Sequence, residues 1–403
     1  MKELTEKLYY KDGYLKEFLA NILQYKNEDN RHLVVLDKTC FFPGGGGQWC
    51  DLGYIDGIKV LDVIEDKNNI YHVLESKPNN YENLKCTIDW KRRFDGMQQH
   101  LGQHLLSGCF YTLFNINTCG IHIGNEISTV DVVGIVDEEK IREAEKMANR
   151  VICENHKVEF LFTNRRDAKK MGLRRELATK DNEIRIVKIS DIDINACCGI
   201  HPDNTLDLQL IKIKGFEKHK GNTRITYLTG SRAISDYLNR DSILNDICLT
   251  LSSGSDDVVN TLNKLQNNYN TLRGDYSKVR AELSEYEMKE LISNGELLKD
   301  IVLVNKIFDN EEMKNLNKLA TSICEENNRI VLFGTKDKEK CNLLFACSKN
   351  IKNLNMGLLL KDSITLVDGK GGGSPLLAQG GGKNILNLQS AIDYAIRKVR
   401  EII

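Results

Sequence analysis

The stretch RRFDGMQQHLGQHLLSGCFYTLF, from Arg92 to Phe114, is where this chain changes from a strand pattern to a helical one. Its apolar residues recur at intervals of three and four, which is the spacing of one helical face. Four residues make slightly more than one turn, so His100 and His104 project from the same face, close enough to share a metal ion. A histidine pair at this spacing is more often structural, so the pair alone does not establish a metal site.

Strand-like segments lie on both sides of this helix. Before it, short β-rich runs alternate with turn residues, which is typical of a small sheet or barrel. One segment there, GYLKEFLANILQY (Gly13–Tyr25), has helical spacing instead. After it, strand-like runs surround a predicted helix, as in an α+β domain. We therefore expect a β-barrel-like domain over residues 1–90 and an α+β domain over residues 91–240.

A different pattern begins at Val258. Apolar residues from Val258 to Tyr286 alternate in steps of three and four, the heptad spacing of a helix that packs against another helix. The partner helix could belong to the same chain or to a second copy. We expect a helical, coiled-coil-like segment over residues 241–297. If the partner helix belongs to a second copy, the chain forms a homodimer through this segment or through the C-terminal domain.

Beyond this segment, strand-like and helical runs alternate again, which predicts a small α/β domain over residues 298–403. It contains DGKGGGSPLLAQGGGK, from Asp368 to Lys383, which predicts a special loop followed by a short helix that begins near Pro375. This stretch does not complete a Walker pattern for phosphate. The expected fold class of the whole chain is α+β.

Composition and charge exclude several classes of protein. Of the 403 residues, 41% are hydrophobic and 28% are charged, which is ordinary for a folded globular protein. The formal net charge is -1, so a polyanionic partner would have to bind local basic patches. No apolar run approaches the roughly 18 residues of a membrane helix, and the start lacks a signal peptide. We expect a cytoplasmic protein with no membrane partner, whose cysteines are reduced or bind metal.

A second ligand pair lies in NACCGIHPDNT, where Cys197 and His201 are again four residues apart. With His100 and His104 it forms a nitrogen and sulfur donor set that suits zinc and does not suit magnesium or calcium. Cys198 could replace Cys197 as the thiolate, although the spacing favours Cys197. Four protein ligands are typical of a structural site, whereas release of one, such as His201, would let a bound water become a nucleophile. The sequence HLGQH lacks the glutamate of HExxH enzymes, which argues against a metalloprotease.

The stretch TCFFPGGGGQWCD, from Thr39 to Asp51, is rich in glycine. Its simplest interpretation is a tight turn. Consecutive glycines also let a backbone approach a ligand closely, and Thr39 and Gln48 supply hydrogen-bonding groups at the edges. No GK[ST] ends the run, so it does not match a phosphate-binding loop.

Taken together, these motifs resemble a known family. The order of five blocks between Thr39 and about Ile234 is similar to that in the editing domain of alanyl-tRNA synthetases. The coiled segment and DGKGGGSPLLAQGGG resemble the C-terminal DHHA1 domain of the same synthetases, which DHH-type phosphoesterases share. No aminoacylation domain precedes these blocks, so the chain resembles the long form of the free-standing AlaX editing proteins. The five blocks are CFFPGGGGQ, IDWKRRFDGMQQHLGQHLLS, HIGNEISTVDV, CCGIHPDNT and GNTRITYLTGSRA.

The resemblance implies hydrolysis, in trans, of the ester bond in mischarged Ser-tRNA(Ala), with Gly-tRNA(Ala) as a second candidate. It also implies a zinc ion bound by the residues that match the family's ligands. These ligands are His100, His104, Cys197 and His201. The residues that match the amino-acid pocket are Thr39, Gly45, Gly46, Gly47 and Gln48, of which Thr39 and Gln48 are the catalytic candidates.

The expected partner is tRNA(Ala) charged with the wrong amino acid, whose phosphates would contact basic surface. Two basic runs, NRRDAKKMGLRRE and KIKGFEKHKG, and the glycines of the C-terminal stretch supply candidates. Charge runs of this kind are simple solvent-exposed surfaces about as often as they are phosphate contacts. The candidates are Arg165, Arg166, Lys169, Lys170, Arg174, Arg175, Lys218, Lys220, Gly371, Gly372 and Gly373.

The chain departs from the resembled family at three places near the pocket. Gly44 replaces an acidic residue, Leu101 replaces a small or hydroxyl residue, and CCGIHP replaces the commoner CGGTHV. Every ligand position is intact, so these changes concern amino-acid selectivity more than metal binding. They also suit an alternative function, a catalytically inactive tRNA-binding module with a structural zinc. A DHH-type phosphodiesterase is a weaker alternative, because the motif DHH does not occur in the chain.

Overall fold

The structure is a computed structural model that describes residues 5–28, 30–67, 69–177 and 181–403. The chain forms two compact units, Met1–Thr250 (unit 1) and Leu251–Ile403 (unit 2). Both units contain helices and strands, which confirms the expected α+β class. In the described part of the chain, no helix combines the length and the apolar character that crossing a membrane requires.

Unit 1 begins with a seven-stranded antiparallel sheet, called the N-terminal sheet below. The strands of this region are β1 (Glu6–Lys7), β2 (Glu17–Ala20), β3 (Ile22–Glu28), β4 (Arg31–Leu36), β5 (Lys38–Thr39), β6 (Gly53–Ile55), β7 (Ile58–Asp66), β8 (Asn69–Leu74) and β9 (Leu84–Ile88). The sheet order is β2-β9-β6-β7-β8-β4-β3, and β1 pairs separately with β5. The pairings of the described residues do not join β2 to β3, so closure of the sheet into a barrel stays a prediction.

The segment Gly13–Tyr25 is not a helix, so that prediction was wrong. It forms β2 and the start of β3, and β2 pairs with β9. Along β2, Leu19 is 56% exposed whereas Ala20 is buried, which is the two-residue alternation of a strand. Pairing with β9 satisfies the backbone of β2 and buries alternate side chains, and this outweighs the helical preference of Leu and Ala.

The helix α1 (Trp90–Phe114) follows the N-terminal sheet and confirms the predicted helix. The Asp89 side chain caps its start by accepting a hydrogen bond from the Arg92 amide, and Asn115 ends it in a left-handed conformation. Both faces of α1 are buried along most of its length, because it lies between the N-terminal sheet and the rest of unit 1.

The remaining elements of unit 1 form two antiparallel sheets and three helices. They are β10 (Thr118–Ile123), β11 (Ser128–Val132), α2 (Glu138–Cys153), β12 (Val158–Asn164), α3 (Arg165–Ala168), β13 (Glu183–Ile189), β14 (Asp193–Ala196), β15 (Ile211–His219), β16 (Asn222–Thr229) and α4 (Ser231–Leu251). One sheet has the order β10-β11-β16-β15 and packs against α1 and α2, and the other has the order β12-β13-β14. The strand β14 ends immediately before Cys197, so this second sheet positions the CCGIH loop.

The helix α5 (Val258–Ser293) carries the predicted heptad seam at the start of unit 2. Residues in the middle of the seam are exposed, with Tyr269 at 62% and Leu272 at 69%. Only the last turns of α5, around Leu291, pack into the core of unit 2. Within unit 2, the described residues therefore provide no intramolecular partner for the seam.

The rest of unit 2 is a six-stranded sheet covered by helices on both faces. Its elements are β17 (Glu296–Leu298), β18 (Ile301–Asp309), α6 (Met313–Glu325), β19 (Arg329–Lys336), β20 (Cys341–Cys347), α7 (Met356–Ser363), β21 (Lys370–Gly373), β22 (Leu377–Gly382) and α8 (Leu388–Ile402). The sheet order is β17-β18-β19-β20-β22-β21. Along β19, Leu332 packs in the core that contains α7 and α8, whereas Phe333 packs against α6 on the opposite face. This arrangement matches the predicted small α/β domain.

The glycine-rich stretch Asp368–Lys383 is an antiparallel β-hairpin of β21 and β22, so the predicted loop and short helix near Pro375 were wrong. Pro375 lies in the turn between the two strands. Glycine runs carry no side-chain periodicity, and here they form strands because the two backbones lie very close together. A Cβ on Gly371 would lie 2.5 Å from the Gly380 Cα, and one on Gly373 would lie 2.3 Å from the Leu377 carbonyl oxygen.

Candidate metal centre

Four side chains from two distant parts of unit 1 meet in a buried cluster. His100 and His104 come from the middle of α1, and Cys197 and His201 come from the loop after β14. Their four ligand atoms all lie within 4.8 Å of one another. The cluster contains Cys197 and not Cys198, as the spacing predicts. The structure thus brings together the two predicted ligand pairs.

The contacts within the cluster are those of a preformed site. The Cys197 Sγ lies 3.4 Å from His100 Nε2 and 3.7 Å from His201 Nε2. Three imidazoles and one thiolate form a borderline-soft donor set, which is characteristic of zinc sites. The four residues could therefore hold a single metal ion.

Gln48 contacts both parts of the chain that carry the ligands. Its Oε1 lies 3.2 Å from His100 Nδ1 and accepts a hydrogen bond from the Ile200 amide at 3.0 Å. Because an amide oxygen only accepts, His100 carries its proton on Nδ1 and presents Nε2 to the cluster. Gln48 is thus a supporting residue that links α1 to the CCGIH loop.

Asp193 orients His104 as Gln48 orients His100, with Nδ1 hydrogen-bonded and Nε2 facing the cluster. Its Oδ2 accepts from His104 Nδ1 at 2.8 Å, and its Oδ1 accepts from Arg174 Nε at 2.6 Å. A third donor, Asn195 Nδ2, lies 2.9 Å from Asp193 Oδ1. The His104 Nε2 is buried without a hydrogen-bond partner in the described structure. A buried imidazole nitrogen in this position is accounted for if it ligates a metal ion.

The electrostatics of the cluster favour a thiolate. Burial alone would raise the pKa of Cys197, but the neighbouring His100, His201 and His104 hold this pKa well below the usual thiol value. Burial lowers the pKa of His201 well below its usual value. Against the effect of burial, Cys197 and Asp193 raise the pKa of His104 to about 9. A thiolate is the form of cysteine that binds a metal.

The glycine-rich loop, residues 44–47, lies directly against the cluster. Gly44, Gly45, Gly46 and Gly47 have φ values of 86°, 148°, 61° and 88°, a region that L side chains rarely adopt. A Cβ on Gly46 would lie 3.1 Å from His100 Cε1, and one on Gly45 would lie 3.0 Å from the Sγ of Cys198. Glycine here permits both the backbone conformation and the approach to the ligands.

A buried ion pair fixes both ends of this loop. Asp51 accepts a hydrogen bond from the Phe42 amide at 2.6 Å, across the base of the loop. Arg93 of α1 donates to Asp51, to the Gly13 carbonyl at 2.9 Å and to the Cys40 carbonyl. The side chains of Arg93 and Asp51 are 0% and 2% exposed. The pair ties the N-terminal sheet and the loop to the helix that carries two ligands.

A cavity of about 780 Å³ opens onto the cluster, with His100, His104 and Cys197 in its wall. Gly46 and Gln103 also line it, as do Tyr10 and Phe162, whose aromatic rings contact each other. This volume lies in the usual range of small-molecule sites. The cluster is therefore accessible to a substrate from one side.

Arg185 supports the wall of this cavity. Its guanidinium donates to the Cys197 carbonyl at 3.0 Å and to the Gly199 carbonyl at 2.7 Å. It lies between the rings of Tyr10 and Phe160, 5.0 Å and 4.6 Å from their centroids. These contacts hold the backbone of the CCGIH loop in place.

The residues predicted to form the amino-acid pocket do not all line the cavity. Thr39 is fully buried, its Oγ1 lies 2.8 Å from His72 Nε2, and it does not line the cavity. Gln48 is 5% exposed and contacts the ligand His100 as described above. Of the three predicted glycines, Gly46 lines the cavity.

Most of the predicted phosphate contacts are exposed, but Arg174 is not. Arg174 is 8% exposed because it pairs with Asp193 and donates to Thr118 Oγ1, so it supports the metal centre and is not a surface contact. Arg175 is exposed and lines the cavity. Arg165 is half-buried. The other predicted basic residues are exposed: Arg166, Lys169, Lys170, Lys218 and Lys220. The predicted Gly371, Gly372 and Gly373 form the edge strand β21 of unit 2.

The supporting residues Asp193, Arg185 and Arg93 were missed by the sequence analysis. Each acts on a partner that is distant in the chain or lies on another strand, and none has a characteristic spacing to the ligands. A weak signal existed for Asp193, because a carboxylate on the strand that leads into the CCGIH loop is well placed to orient a ligating histidine.

Comparisons with known proteins found relatives of both units of the chain. The family described as "Threonyl and Alanyl tRNA synthetase second additional domain" matches residues 184–226, which include Cys197 and His201. The family described as "DHHA1 domain" matches residues 299–401. Over 413 aligned positions the chain is 31% identical to the alanyl-tRNA editing protein AlaX-L of Pyrococcus horikoshii, and the alignment covers 98% of this chain and 99% of that protein.

The chain belongs to the AlaX family of alanyl-tRNA editing proteins. A second relative, the alanyl-tRNA editing protein Aarsd1-B of Xenopus laevis, is 30% identical, with 93% of this chain and 90% of the relative covered. The alanine–tRNA ligase of Methanobrevibacter smithii is 28% identical over 97% of this chain, but the match covers 45% of the ligase. This AlaX family member therefore corresponds to part of the ligase and to nearly the full length of the editing proteins.

Proposed function

We propose that this AlaX family member is a trans-editing deacylase that hydrolyses the ester bond of mischarged Ser-tRNA(Ala), with Gly-tRNA(Ala) as a second candidate substrate. The observation that carries the proposal is the cluster of His100, His104, Cys197 and His201, of which the first three line a cavity. Family membership supports the choice of an aminoacyl-tRNA as substrate.

The reaction has a physical rationale. An aminoacylation pocket built for alanine cannot strongly reject serine, which adds only a hydroxyl group, and glycine is smaller than alanine. A second site that hydrolyses the wrong ester restores accuracy. The editing site must then distinguish a hydroxymethyl group from a methyl group, and a cavity with buried polar side chains such as Gln103 offers partners for that hydroxyl.

Zinc is the proposed metal, held by the Nε2 atoms of His100 and His104, the Sγ of Cys197 and a ring nitrogen of His201. Bound there, zinc supplies Lewis-acid polarisation and lowers the pKa of a coordinated water. Gln48 and Asp193 each fix one histidine ring, so that a ligand nitrogen points into the cluster. Arg185 fixes the loop that carries Cys197. Gly46 lets the loop backbone lie against His100 and Cys197 in the wall of the cavity.

The size of the cavity also suits this substrate. At about 780 Å³ it is larger than a seryl group requires and has room for part of the terminal nucleoside. Tyr10 and Phe162 in its wall offer aromatic faces to a base. We propose that the aminoacyl ester reaches the metal centre while the last nucleoside remains near these rings.

The tRNA would also contact the protein outside the cavity. Exposed Arg166, Lys169 and Lys170 around α3 are proposed phosphate contacts, as is the β21–β22 hairpin of unit 2. A second contact region raises the local concentration of the ester at the editing site. The exposed seam of α5 is the proposed surface for a homodimer. A cytoplasmic location is part of the proposal.

A deacylation assay tests the activity. Purified protein is incubated with Ser-tRNA(Ala), Gly-tRNA(Ala) and Ala-tRNA(Ala), each labelled in the amino acid, and release of the amino acid is measured. We expect Ser-tRNA(Ala) to be hydrolysed and Ala-tRNA(Ala) to remain largely intact. Equal rates on the two would contradict the proposed selectivity.

The role of the metal is tested with the variant His104→Ala. It is expected to lose zinc and deacylation together, with activity at least about 100-fold below the wild type, because one ligand is absent. The control is His122→Ala, which removes an exposed histidine of β10 outside the cluster. An unchanged ratio of zinc to protein in His104→Ala would contradict the ligand assignment.

The alternative function, an inactive tRNA-binding module with a structural zinc, is favoured by the four protein ligands, because structural sites are commonly closed. The same assay separates the two functions. Tight binding of tRNA(Ala) without hydrolysis of any of the three esters would establish the alternative and exclude the deacylase.

A further inference from the structure

A second cavity, of about 500 Å³, lies in unit 1 at the start of α1. It is lined by the first residues of α1, the first residues of α4 and Trp49, which lies two residues after the glycine-rich loop. Residues three positions apart in the chain thus line two different cavities, since Gly46 lines the first one and Trp49 lines the second. None of the residues predicted from the sequence to bind tRNA lies here.

Two guanidinium groups meet over one indole ring in this cavity. The Cζ atoms of Arg92 and Arg232 each lie 5.4 Å from the Trp49 ring. Such contacts fix the planes of the two side chains and reduce the entropy that either would lose on binding a ligand. The cavity therefore presents oriented positive charge and not a mobile basic surface.

The two arginines differ in how their charge is balanced. Arg232 is fully engaged, with two hydrogen bonds to Asp95 at 2.8 and 2.6 Å and one to the Gly124 carbonyl at 2.8 Å. Arg92 donates through Nε to the Cys50 carbonyl at 2.9 Å, and it forms no ion pair among the described residues. Its neighbour Lys91, also in the cavity, is exposed and likewise forms no ion pair there.

Positive charge at this position is unfavourable without a ligand. Lys91 and Arg92 lie in the first turn of a 25-residue helix, where the helix dipole favours negative groups. Two cations and the positive end of a helix therefore repel one another, although Asp89 and Asp95 at the rim offset part of this. A bound anion would relieve the repulsion, and a planar arginine with free terminal nitrogens matches the oxygens of a phosphate.

We propose that this second cavity binds a phosphodiester group in the single-stranded 3′ end of the RNA substrate, through Arg92 and Lys91, with Trp49 holding the Arg92 guanidinium in place. The identity of the RNA rests on the proposed function, but the site itself does not require catalysis. RNA bound here also presses on Trp49, the neighbour of Gln48, whose side chain contacts the metal ligand His100. The site thus positions the 3′ end beside the loop that lines the editing cavity.

The test is a binding measurement by fluorescence anisotropy with an uncharged RNA. The probe is a labelled minihelix that reproduces the acceptor stem of tRNA(Ala) with its single-stranded CCA end, and a second minihelix lacks that end. We expect Arg92→Ala to weaken binding of the first probe on the order of 10-fold, since a charge-assisted contact is lost. The slope of log Kd against log salt concentration should fall by about 0.7 for each single-strand phosphate contact removed.

Three further variants make the result specific. Lys91→Glu changes an exposed side chain, so it tests the site without disturbing the core, and it should weaken the first probe at least as much as Arg92→Ala. Arg92→Lys keeps the charge, and it should retain the salt slope while losing part of the affinity. Arg150→Ala, at an exposed position of α2, is the matched control and should bind as the wild type does.

The outcomes separate this site from the proposed activity. Unchanged affinity and salt slope in both Arg92→Ala and Lys91→Glu would overturn the site, as would an equal loss of affinity for the minihelix without the CCA end. A wild-type protein that fails to bind either minihelix overturns it as well. A wild-type protein that binds the first minihelix through Arg92 but hydrolyses no ester would refute the deacylase and leave the site established.

Discussion

The molecule has two glycine-rich segments, and they use glycine for different physical reasons. In the loop at the metal centre, residues 44–47 all have positive φ, from 61° to 148°. In the β21–β22 hairpin, no described glycine has positive φ. There a side chain would collide with the facing backbone, as at Gly373, where a Cβ would lie 2.3 Å from the Leu377 oxygen. The first segment needs glycine for its backbone conformation, and the second needs glycine because the two strands lie too close together for a side chain.

The comparison shows that a run of glycines does not define a structure. The loop curves around a ligand site and contributes no regular hydrogen-bond ladder beyond the Gly45–Gln48 pair. The hairpin is a regular antiparallel ladder from Lys370 to Gly373. Substitutions should therefore damage different properties in the two segments: metal binding in unit 1, and folding of the sheet in unit 2.

The largest effect is expected in the hairpin, for Gly373→Ala. The added Cβ would lie 2.3 Å from the Leu377 oxygen and 2.5 Å from the Ala378 Cα, and paired backbones cannot move apart without breaking the ladder. We expect a loss on the order of 4 kcal/mol in the free energy of unfolding of unit 2. Urea-induced unfolding monitored by circular dichroism measures this loss, and the zinc content should remain unchanged.

The matched control for that variant is in the same strand. A Cβ on Gly372 meets no atom within 4 Å, and its φ is not positive, so Gly372→Ala should change the free energy of unfolding by less than about 0.5 kcal/mol. If Gly372→Ala and Gly373→Ala destabilised unit 2 equally, closeness would not be the reason for glycine here.

A second effect concerns pH and is confined to unit 1. His72, which contacts Thr39 before the glycine-rich loop, is buried, and burial lowers its pKa to about 4. The unfolded chain takes up this proton near pH 6.5, so between about 6.5 and 4 the unfolded state binds more protons. Stability from this group is complete above about pH 6.5 and falls by about 2 kcal/mol by about pH 5.

The difference between wild type and His72→Gln measures that effect. Both proteins are unfolded with urea at about pH 7 and about pH 5, and the variant should lose about 2 kcal/mol less over this interval. His122→Gln, at an exposed position, is the control. All eight histidines lie in residues 32–219, so no histidine contributes such a pH dependence to unit 2. An identical pH dependence in wild type and His72→Gln would refute the shifted pKa.

The smallest effect tests the conformation of the loop. Gly46→Ala places a methyl group 3.1 Å from His100 Cε1 at a φ of 61°, so it should both strain the backbone and displace a ligand. We expect zinc affinity to fall on the order of 10-fold, measured by competition with a chelator.

Gly57→Ala is the control for the backbone strain alone. Gly57 has a φ of 78°, and a Cβ there meets no atom within 4 Å. It should cost about 1 kcal/mol in stability and leave zinc affinity unchanged. Equal zinc affinities in Gly46→Ala and Gly57→Ala would show that the loop is not held against the ligand.

How much of the site could be predicted follows from the range of the interactions. The spacing of His100 and His104 is a local property of a helix, and that of Cys197 and His201 is a local property of a loop, so both pairs could be found. The two pairs could then be assigned to one site because their nitrogen and sulfur donors together suit zinc. The pairing of Arg174 with Asp193 depends on a loop and a strand that meet in space, and for that reason the basic run predicts Arg174 on the surface.

The errors in the fold have the same origin. Gly13–Tyr25 has apolar residues at helical intervals, but its partner strand β9 lies far along the chain, and pairing with it determines the structure. In the hairpin, glycines have no side chains from which a period could be read. The helix α1, by contrast, has both a capping residue, Asp89, and a sustained helical period, and it could be predicted closely.

The buried Arg93 has a consequence for how unit 1 can be divided or recombined. Its guanidinium has no solvent contact, and all its acceptors lie in the first 51 residues: Gly13, Cys40 and Asp51. Combining either part with a partner that lacks the matching Asp51 or Arg93 would leave a buried charge without a counter-ion, at a cost of about 3–5 kcal/mol. The change from a strand pattern to a helical pattern near residue 90 is therefore not a boundary between exchangeable domains. The sheet and the ligand-bearing helix have to be inherited, transplanted or redesigned together.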